Sequence, residues 1–263
     1  MGLLVDYMNQ IVAEASKTKG IISRKTISEW FGNKQAVKRD GYKDVMAFDT
    51  KAAIVVVGVS CIGKSTYIQN FLNLYPHTKL ISYDEAGYKK AQEEMEGKVV
   101  SEIRTIEIIE EEILENKEES IIVDSTFIQP YSRAAMMRFL TDLGYEIHML
   151  YFSKEYTEAH ITSCLLNRAI EITLYEDYLK KIDASKMNFR KRLEARKGIF
   201  ERYAREHAIS VEELKSRMVS HPTTITTLQY LANCYRNEVE EHRVWWQEKR
   251  GLFFLGADYC YVL

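Results

Sequence analysis

Proline and glycine are scarce in this chain, with 3 prolines and 12 glycines among 263 residues. An all-β fold needs a turn every few residues, and long disordered linkers are rich in both residue types, so the composition argues against each. Hydrophobic residues make up 46% and charged residues 28%, which is typical of globular proteins. A chain of this length forms one large domain, or one domain with appendages, and buries its core without disulfides.

The chain also lacks the usual signs of secretion, membrane insertion and metal binding by cysteine. Its longest apolar run, residues 52–59, is too short to span a bilayer, and no basic leader precedes the first apolar stretch. The formal net charge of -2 argues against non-specific coating of nucleic acid. The four cysteines show neither paired nor metal-ligand spacing, so we expect a cytoplasmic protein without membrane contact; they are Cys61, Cys164, Cys234 and Cys260.

Strand and helix patterns alternate in the middle of the chain. A β-branched apolar run at 52–58 is typical of a central parallel strand, and further strands are predicted at 79–82, 120–124 and 145–152. Helical patterns separate them at 64–74, 99–116 and 133–143. This alternation predicts an α/β fold with a parallel sheet flanked by helices. Beyond residue 152 the pattern is helical, with one more strand expected at the sheet edge around 259–262.

The segment from Gly58 to Thr66 fits the phosphate-binding pattern G-x-x-x-x-G-K-[ST]. The pattern follows a predicted strand and precedes a predicted helix, which is the context in which its backbone amides can cradle phosphate oxygens. Lys64 is predicted to reach the β- and γ-phosphates, and Ser65 to bind Mg²⁺. The predicted nucleotide-binding residues are Gly58, Ser60, Cys61, Ile62, Gly63, Lys64, Ser65 and Thr66.

Two carboxylates are predicted at the same sheet edge as this loop. Asp84 follows the second predicted strand and Asp124 ends the third, and ligands bind beyond the carboxyl ends of parallel strands. One acid could hold the metal and the other could accept a proton from an attacking hydroxyl. Each could instead cap a helix, a position that Asp favours.

Taken with these residues, the segments Ser82-x-Asp84 and Asp124-Ser125-Thr126 resemble the polynucleotide-kinase-like branch of P-loop kinases, over residues 52–205. Zeta toxins and chloramphenicol phosphotransferase are similar relatives. The resemblance implies that Asp84 is the general base, that Asp124 serves the metal, and that Thr126 and Arg133 contact the acceptor. The chain departs from phage-type members at Gly87, where those enzymes often carry an arginine that grips the substrate phosphate.

The same resemblance implies a helical lid, at about 155–195, that brings arginines to the γ-phosphate. Arg168 matches the first half of this lid, and Arg190 or Arg192 matches its return. Arg168 and Arg192 are expected to be catalytic. Arginines there would stabilise charge on the transferring phosphoryl group. A solvated helix face is the alternative explanation for these basic residues.

Together these patterns predict three regions and one activity. The regions are a helical N-terminal appendage at 1–51, a kinase core with its lid at 52–207 and a helical extension at 208–263. The predicted activity is ATP- and Mg²⁺-dependent transfer of the γ-phosphate to a hydroxyl, with a nucleic acid favoured as acceptor. A small-molecule acceptor and a nucleotide-gated binding module without catalysis remain alternatives.

Overall fold

The computed structural model describes residues 2–17, 24–32, 36–39, 51–60, 62–125, 127, 130–152, 158–182, 195–196, 198–243 and 256–263. Contacts divide the chain into two compact units. The first comprises Met1–Lys154 and Glu238–Leu263, and the second comprises Glu155–Asn237.

A parallel sheet forms the centre of the first unit. Its six strands are β1 (Val37–Arg39), β2 (Ala52–Val57), β3 (Lys79–Ser82), β4 (Ile121–Asp124), β5 (Glu146–Tyr151) and β6 (Tyr259–Val262). They lie in the order β1-β6-β5-β2-β4-β3. All six residues of β2 are buried, as expected for a central strand covered on both faces.

Helices surround the sheet and form the second unit. In the first unit they are α1 (Leu3–Lys17), α2 (Arg24–Phe31), α3 (Lys64–Leu74), α4 (Tyr83–Met95), α5 (Arg104–Glu115) and α6 (Pro130–Asp142). The second unit contains α7 (Glu158–Lys181), α8 (Ile199–Glu206) and α9 (Val211–Met218). The helix α10 (Pro222–Arg243) begins in the second unit, and its residues from Glu238 onward are assigned to the first.

The predicted α/β architecture is confirmed, with one difference at the sheet edge. The strand expected around 259–262 exists, but it pairs with both β5 and β1 and so lies inside the sheet. The edge strand on this side of the sheet is β1, in which Val37 pairs with Tyr259 of β6. This strand has three residues, two of them basic, so it carries no apolar pattern that a sequence could reveal.

The N-terminal helix α1 belongs to the core of the first unit. It packs on α6 and α5, and Leu4 and Ile11 are buried in the same apolar cluster as strand β2. Phe31 of α2 joins that cluster. The contacts therefore divide the chain differently from the three predicted regions, because the apolar face of α1 covers the sheet's own helices.

Two charged residues of α5, Glu110 and Glu112, are buried. Glu110 accepts a hydrogen bond from the Leu4 amide at 3.1 Å, so it satisfies one of the free N–H groups in the first turn of α1. Glu112 pairs with Lys89 of α4. These buried carboxylates have partners on neighbouring helices, which is how a charged side chain is accommodated away from water.

The second unit has an apolar core of its own. Ile170 and Leu174 of α7 are buried with Ile199 and Tyr203 of α8 and Leu214 of α9. A buried hydrogen bond of 3.2 Å joins the hydroxyls of Thr224 and Thr173. This helical unit includes the segment that was predicted to form the lid.

Candidate functional site

The loop between β2 and α3 contains two glycines, Gly58 and Gly63, whose positive φ angles favour glycine. Gly58 has φ 156° and Gly63 has φ 96°. A Cβ on Gly58 would lie 3.0 Å from Cβ of Phe152, so the loop passes close to the end of β5. Gly63 is the N-cap of α3 and has no side-chain cap. The N-terminal amides of α3 therefore face an anion-binding position without a competing cap.

Lys64 lies in this loop with its ammonium turned toward the backbone. Its Nζ donates to the carbonyl oxygens of Gly58 at 2.7 Å and Val59 at 2.8 Å. Only 9% of the residue is exposed. The neighbouring Ser65 and Thr66 are exposed on the first turn of α3, where their hydroxyls can reach a ligand.

A carboxylate from the C-terminal part of the chain also contacts the loop. Glu238 of α10 accepts hydrogen bonds from the backbone N–H of Ser60 at 2.7 Å and from its hydroxyl at 2.9 Å. Glu238 was not predictable from the sequence, because 178 residues separate it from Ser60 and no local motif surrounds it.

The predicted acids lie at the carboxyl edge of the sheet, beside the loop. In the strand register Asp124 is level with Val56 of β2 and Ser82 of β3, and Asp84 follows in the first turn of α4. Burial raises the pKa of Asp124; the charge of Lys64 opposes this rise and the charge of Asp84 adds to it. Lys64 and Asp84 therefore both lie near enough to Asp124 for their charges to act on it.

Glu85 adds a carboxylate at this edge that the sequence motif did not single out. Burial raises its pKa, and the neighbouring charge of Glu112 raises it further. Lys89 and Lys79 oppose the rise, and Asp124 contributes to it. The edge therefore gathers several acids whose mutual repulsion favours a bound cation.

Arg133 is buried in α6, with 1% of its surface exposed. Its guanidinium donates to the carbonyl of Phe127, which has a φ of 43° in the loop after β4. Burial lowers the pKa of Arg133 to about 9. The Phe127 ring in turn contacts the Tyr83 ring edge-on at 5.4 Å, next to Asp84. These contacts favour a role in holding the loop over direct contact of Arg133 with an acceptor.

Four other predicted site residues are Cys61, Thr126, Arg168 and Arg192. Cys61, Thr126 and Arg192 lie outside the described residues. Arg168 lies in the second unit, where it donates to Glu171 at 2.9 Å, and Glu171 also accepts from Arg196 at 2.6 Å. Their assignment to nucleotide, acceptor or γ-phosphate binding stays a prediction.

The oxygen donors at the edge fit a magnesium ion bound together with phosphate. Mg²⁺ prefers oxygen ligands and usually keeps water and substrate phosphate in its coordination shell. Ser65 and Asp124 supply a hydroxyl and a carboxylate at the loop edge. Within the described ranges no three or more His, Cys, Asp or Glu side chains gather as a metal cage. The residues therefore suit a metal that arrives with its nucleotide.

None of the helices in the described part of the chain combines the length and apolar character needed to cross a membrane.

Comparison with known proteins finds similarity over parts of the chain. A family model described as an AAA domain matches residues 54–160, which include the phosphate-binding loop and both edge acids. No curated protein matches the sequence. Among solved structures, the chain is similar to one from the PezAT chromosomal toxin-antitoxin system of Streptococcus pneumoniae. The identity is 14%, the match covers 55% of this chain and 59% of that chain, and the TM-score is 0.36.

Proposed function

We propose that this protein is an ATP- and Mg²⁺-dependent phosphotransferase that moves the γ-phosphoryl group to a hydroxyl. The observation that carries the proposal is the placement of Asp124 and Asp84 at the carboxyl edge of the sheet, beside the glycine-rich loop that holds the buried Lys64. A structural loop would need the glycines and the buried lysine. It would not need two interacting carboxylates beside them, because like charges at one edge destabilise it.

The groups divide between phosphate binding and proton transfer. Loop amides and Lys64 bind the triphosphate, while Ser65 and Asp124 hold Mg²⁺, which would neutralise charge on the phosphate oxygens when bound. Asp84 accepts the proton of the acceptor hydroxyl while the hydroxyl oxygen forms a bond to the γ-phosphorus. The bond from that phosphorus to the β–γ bridging oxygen breaks, and ADP leaves. Arg168 and Arg192 are proposed to stabilise the transferring phosphoryl group.

Asp84 suits the role of base better than Asp124. Asp84 is exposed in the first turn of α4, so an acceptor can approach it. Asp124 is half-buried, and the charge of Lys64 acts on it directly, as expected of a group that faces the phosphates and metal. Two acids in different environments can thus take different roles in one reaction.

For the acceptor we favour a nucleic acid hydroxyl, such as a 5′ end or a hydroxyl on a modified base. A small hydroxyl compound, such as a nucleotide sugar, nucleoside or antibiotic, is the alternative. A screen with γ-labelled ATP across oligonucleotides and small hydroxyl compounds would identify the acceptor. Acceptor affinity that falls steeply with salt would support a polynucleotide, because phosphate contacts release counterions.

The chemistry is tested by Asp84→Asn, which keeps the size of the side chain and removes the base. Transfer should fall by about 10²–10⁴, the usual contribution of a positioned general base, while ATP still binds. Glu94→Gln is the matched control, since Glu94 lies on the same helix, half-exposed and paired with Lys90. Near-normal transfer by Asp84→Asn would leave Asp84 a helix cap, a role that Asn fills almost equally well. Absence of transfer from the wild type to every acceptor would favour a non-catalytic nucleotide-binding module.

A further inference from the structure

Glu238 engages the phosphate-binding loop with both of its carboxylate oxygens. One oxygen accepts the Ser60 amide N–H at 2.7 Å and the other accepts the Ser60 hydroxyl at 2.9 Å. Hydrogen bonds to an ionised acceptor are shorter and stronger than neutral ones. The contact is partly buried, so water screens it less than it would a fully exposed pair.

The Ser60 amide belongs to the group of donors that the loop offers to an oxyanion. In a phosphate-binding loop these N–H groups cradle phosphate oxygens. A carboxylate and a phosphate are both oxyanions, and one N–H hydrogen directed at Glu238 is not available to a phosphate at the same time. The Glu238 carboxylate therefore takes a position that competes with nucleotide.

Lys64 also has hydrogen-bond partners within the loop. Its ammonium donates to the carbonyls of Gly58 and Val59, within the loop itself. A triphosphate that drew Lys64 toward its β- and γ-oxygens would have to replace these hydrogen bonds as well as the contact with Glu238. The loop as observed thus has internal partners for a backbone donor and for its lysine.

The contact is particular to Glu238 among neighbouring acids of α10. Glu240, two residues further along, pairs instead with Arg243 in an exposed ion pair at 2.6 Å. Residues two apart on a helix point in different directions, so only one of them can face the loop. This difference supplies a matched control on the same helix.

We propose that Glu238 is an internal competitor for the phosphates of the nucleotide, and that its release from Ser60 regulates binding at the loop. This inference rests on the proposed nucleotide-binding function. Nucleotide binds the fraction of molecules in which the Ser60 amide is free, so the apparent affinity is the intrinsic affinity reduced by that fraction. A charge-assisted contact of this kind would weaken binding about ten- to a hundredfold.

The test compares dissociation constants for ATP·Mg²⁺ and for inorganic tripolyphosphate, measured by titration calorimetry on the full chain. Glu238→Ala should bind both ligands about ten- to a hundredfold more tightly than the wild type. Glu238→Gln keeps an acceptor oxygen without the charge and should fall between the two. Glu240→Ala should match the wild type. Tripolyphosphate isolates the loop, because it has no base or sugar to bind elsewhere.

A double-mutant cycle checks that the effect passes through the observed contact. Ser60→Ala removes the hydroxyl donor, so the gain in affinity from Glu238→Ala should be smaller in that background. Thermal unfolding without ligand establishes that each variant is folded. If Glu238→Ala does not fold, Glu238→Gln takes its place in the comparison.

Two results would overturn the inference. The first would leave the proposed nucleotide binding intact, and the second would reject it as well. Equal or weaker binding by both Glu238 variants, with normal binding by the wild type, would reject the competitor and leave nucleotide binding intact. Failure of the wild type and of every variant to bind either ligand would reject the proposed function together with the inference.

Discussion

At the residue scale, Lys64 links the loop's structure to its chemistry. The ammonium bonds to two loop carbonyls, and the stem is buried. Lys64→Met keeps most of the stem's volume and removes the charge, so it avoids the cavity that alanine would leave. We expect transfer to fall by about two to three powers of ten, as for the loss of an electrostatic contact to developing charge.

The control for this change is Lys25→Met, since Lys25 is exposed on α2 and pairs with Glu29 across one helical turn. Rates from single-turnover assays and unfolding curves should be taken on the same preparations. Wild-type turnover in Lys64→Met would contradict the assignment of the loop to triphosphate binding.

The raised pKa of Asp124 leads us to expect that the stability of the protein depends on pH. Burial raises its pKa in the folded state, so the folded protein holds this proton more tightly than the unfolded chain does. Stability from this group is therefore lost as pH rises from about 4, the ordinary carboxyl value, through the raised pKa. Asp124→Asn should raise the melting temperature at pH 7, and the difference from wild type should vanish at acid pH, where both states are protonated.

Asp177 of α7 provides a control of opposite sign. Hydrogen bonds from Lys181 and then Tyr203 lower its pKa, so its contribution is present above the ordinary carboxyl pKa and is lost as pH falls through the lowered value. Asp177→Asn should lower the melting temperature slightly at pH 7, because this pair is half-exposed. A lower melting temperature for Asp124→Asn at pH 7 would contradict a penalty for its buried charge.

The site was predictable where its residues are contiguous or end a strand. The phosphate-binding loop occupies nine consecutive residues, and Asp124 is the last residue of a short apolar strand. Glu238 and Glu85 were not predictable, because their positions depend on how helices pack. Arg133 was assigned to the acceptor from a resemblance, whereas its burial against Phe127 depends on the loop after β4.

At the scale of secondary structure, apolar periodicity predicted the central strands and α3, but it missed β1 and α4. The residues of α4 are mostly polar, and this helix is held by ion pairs with α5, such as Lys89 with Glu112 and Arg104 with Glu93. Such pairs join residues on different helices, so no local sequence pattern predicts them. The same is true of β1, which exists because β6 offers it a backbone partner.

Helix α1 provides a test of its place in the core. Leu4 has 1% of its surface exposed and its neighbour Leu3 has 42%. Leu4→Ala should destabilise the protein by about 2–5 kcal/mol through lost burial and a residual cavity. For a domain of this size the melting temperature should fall by roughly 5–15 °C.

Leu3→Ala makes the same chemical change on the exposed side of the helix and should alter stability by about 0.5 kcal/mol or less. Thermal and denaturant unfolding of the two variants measure the difference directly. Equal stability for Leu4→Ala and Leu3→Ala would mean that α1 is an appendage, as the sequence pattern suggested, and that it contributes little to the core.

At the scale of the whole molecule, the described part of the chain includes two apolar cores, one in each unit, that share no residue. One gathers around the sheet and includes Leu4 and Cys260, from near the two ends of the sequence. The other is formed within the helices of the second unit. Cooperative unfolding units often coincide with such separate clusters, so a core mutation should weaken its own unit first.

Leu174→Ala and Ile109→Ala form a reciprocal test of this independence. Leu174 has 3% of its surface exposed and lies in the second core, while Ile109 is fully buried in the first. Each truncation should cost about 2–5 kcal/mol within its own core. Native-state hydrogen exchange followed by mass spectrometry assigns that loss to peptides. Leu174→Ala should accelerate exchange in 158–182 and 198–218 and leave β2 and β4 protected, and Ile109→Ala should do the reverse. Acceleration spread evenly over both units by either variant would mean that the chain opens as one cooperative body, and the two cores would then not be separate units of stability.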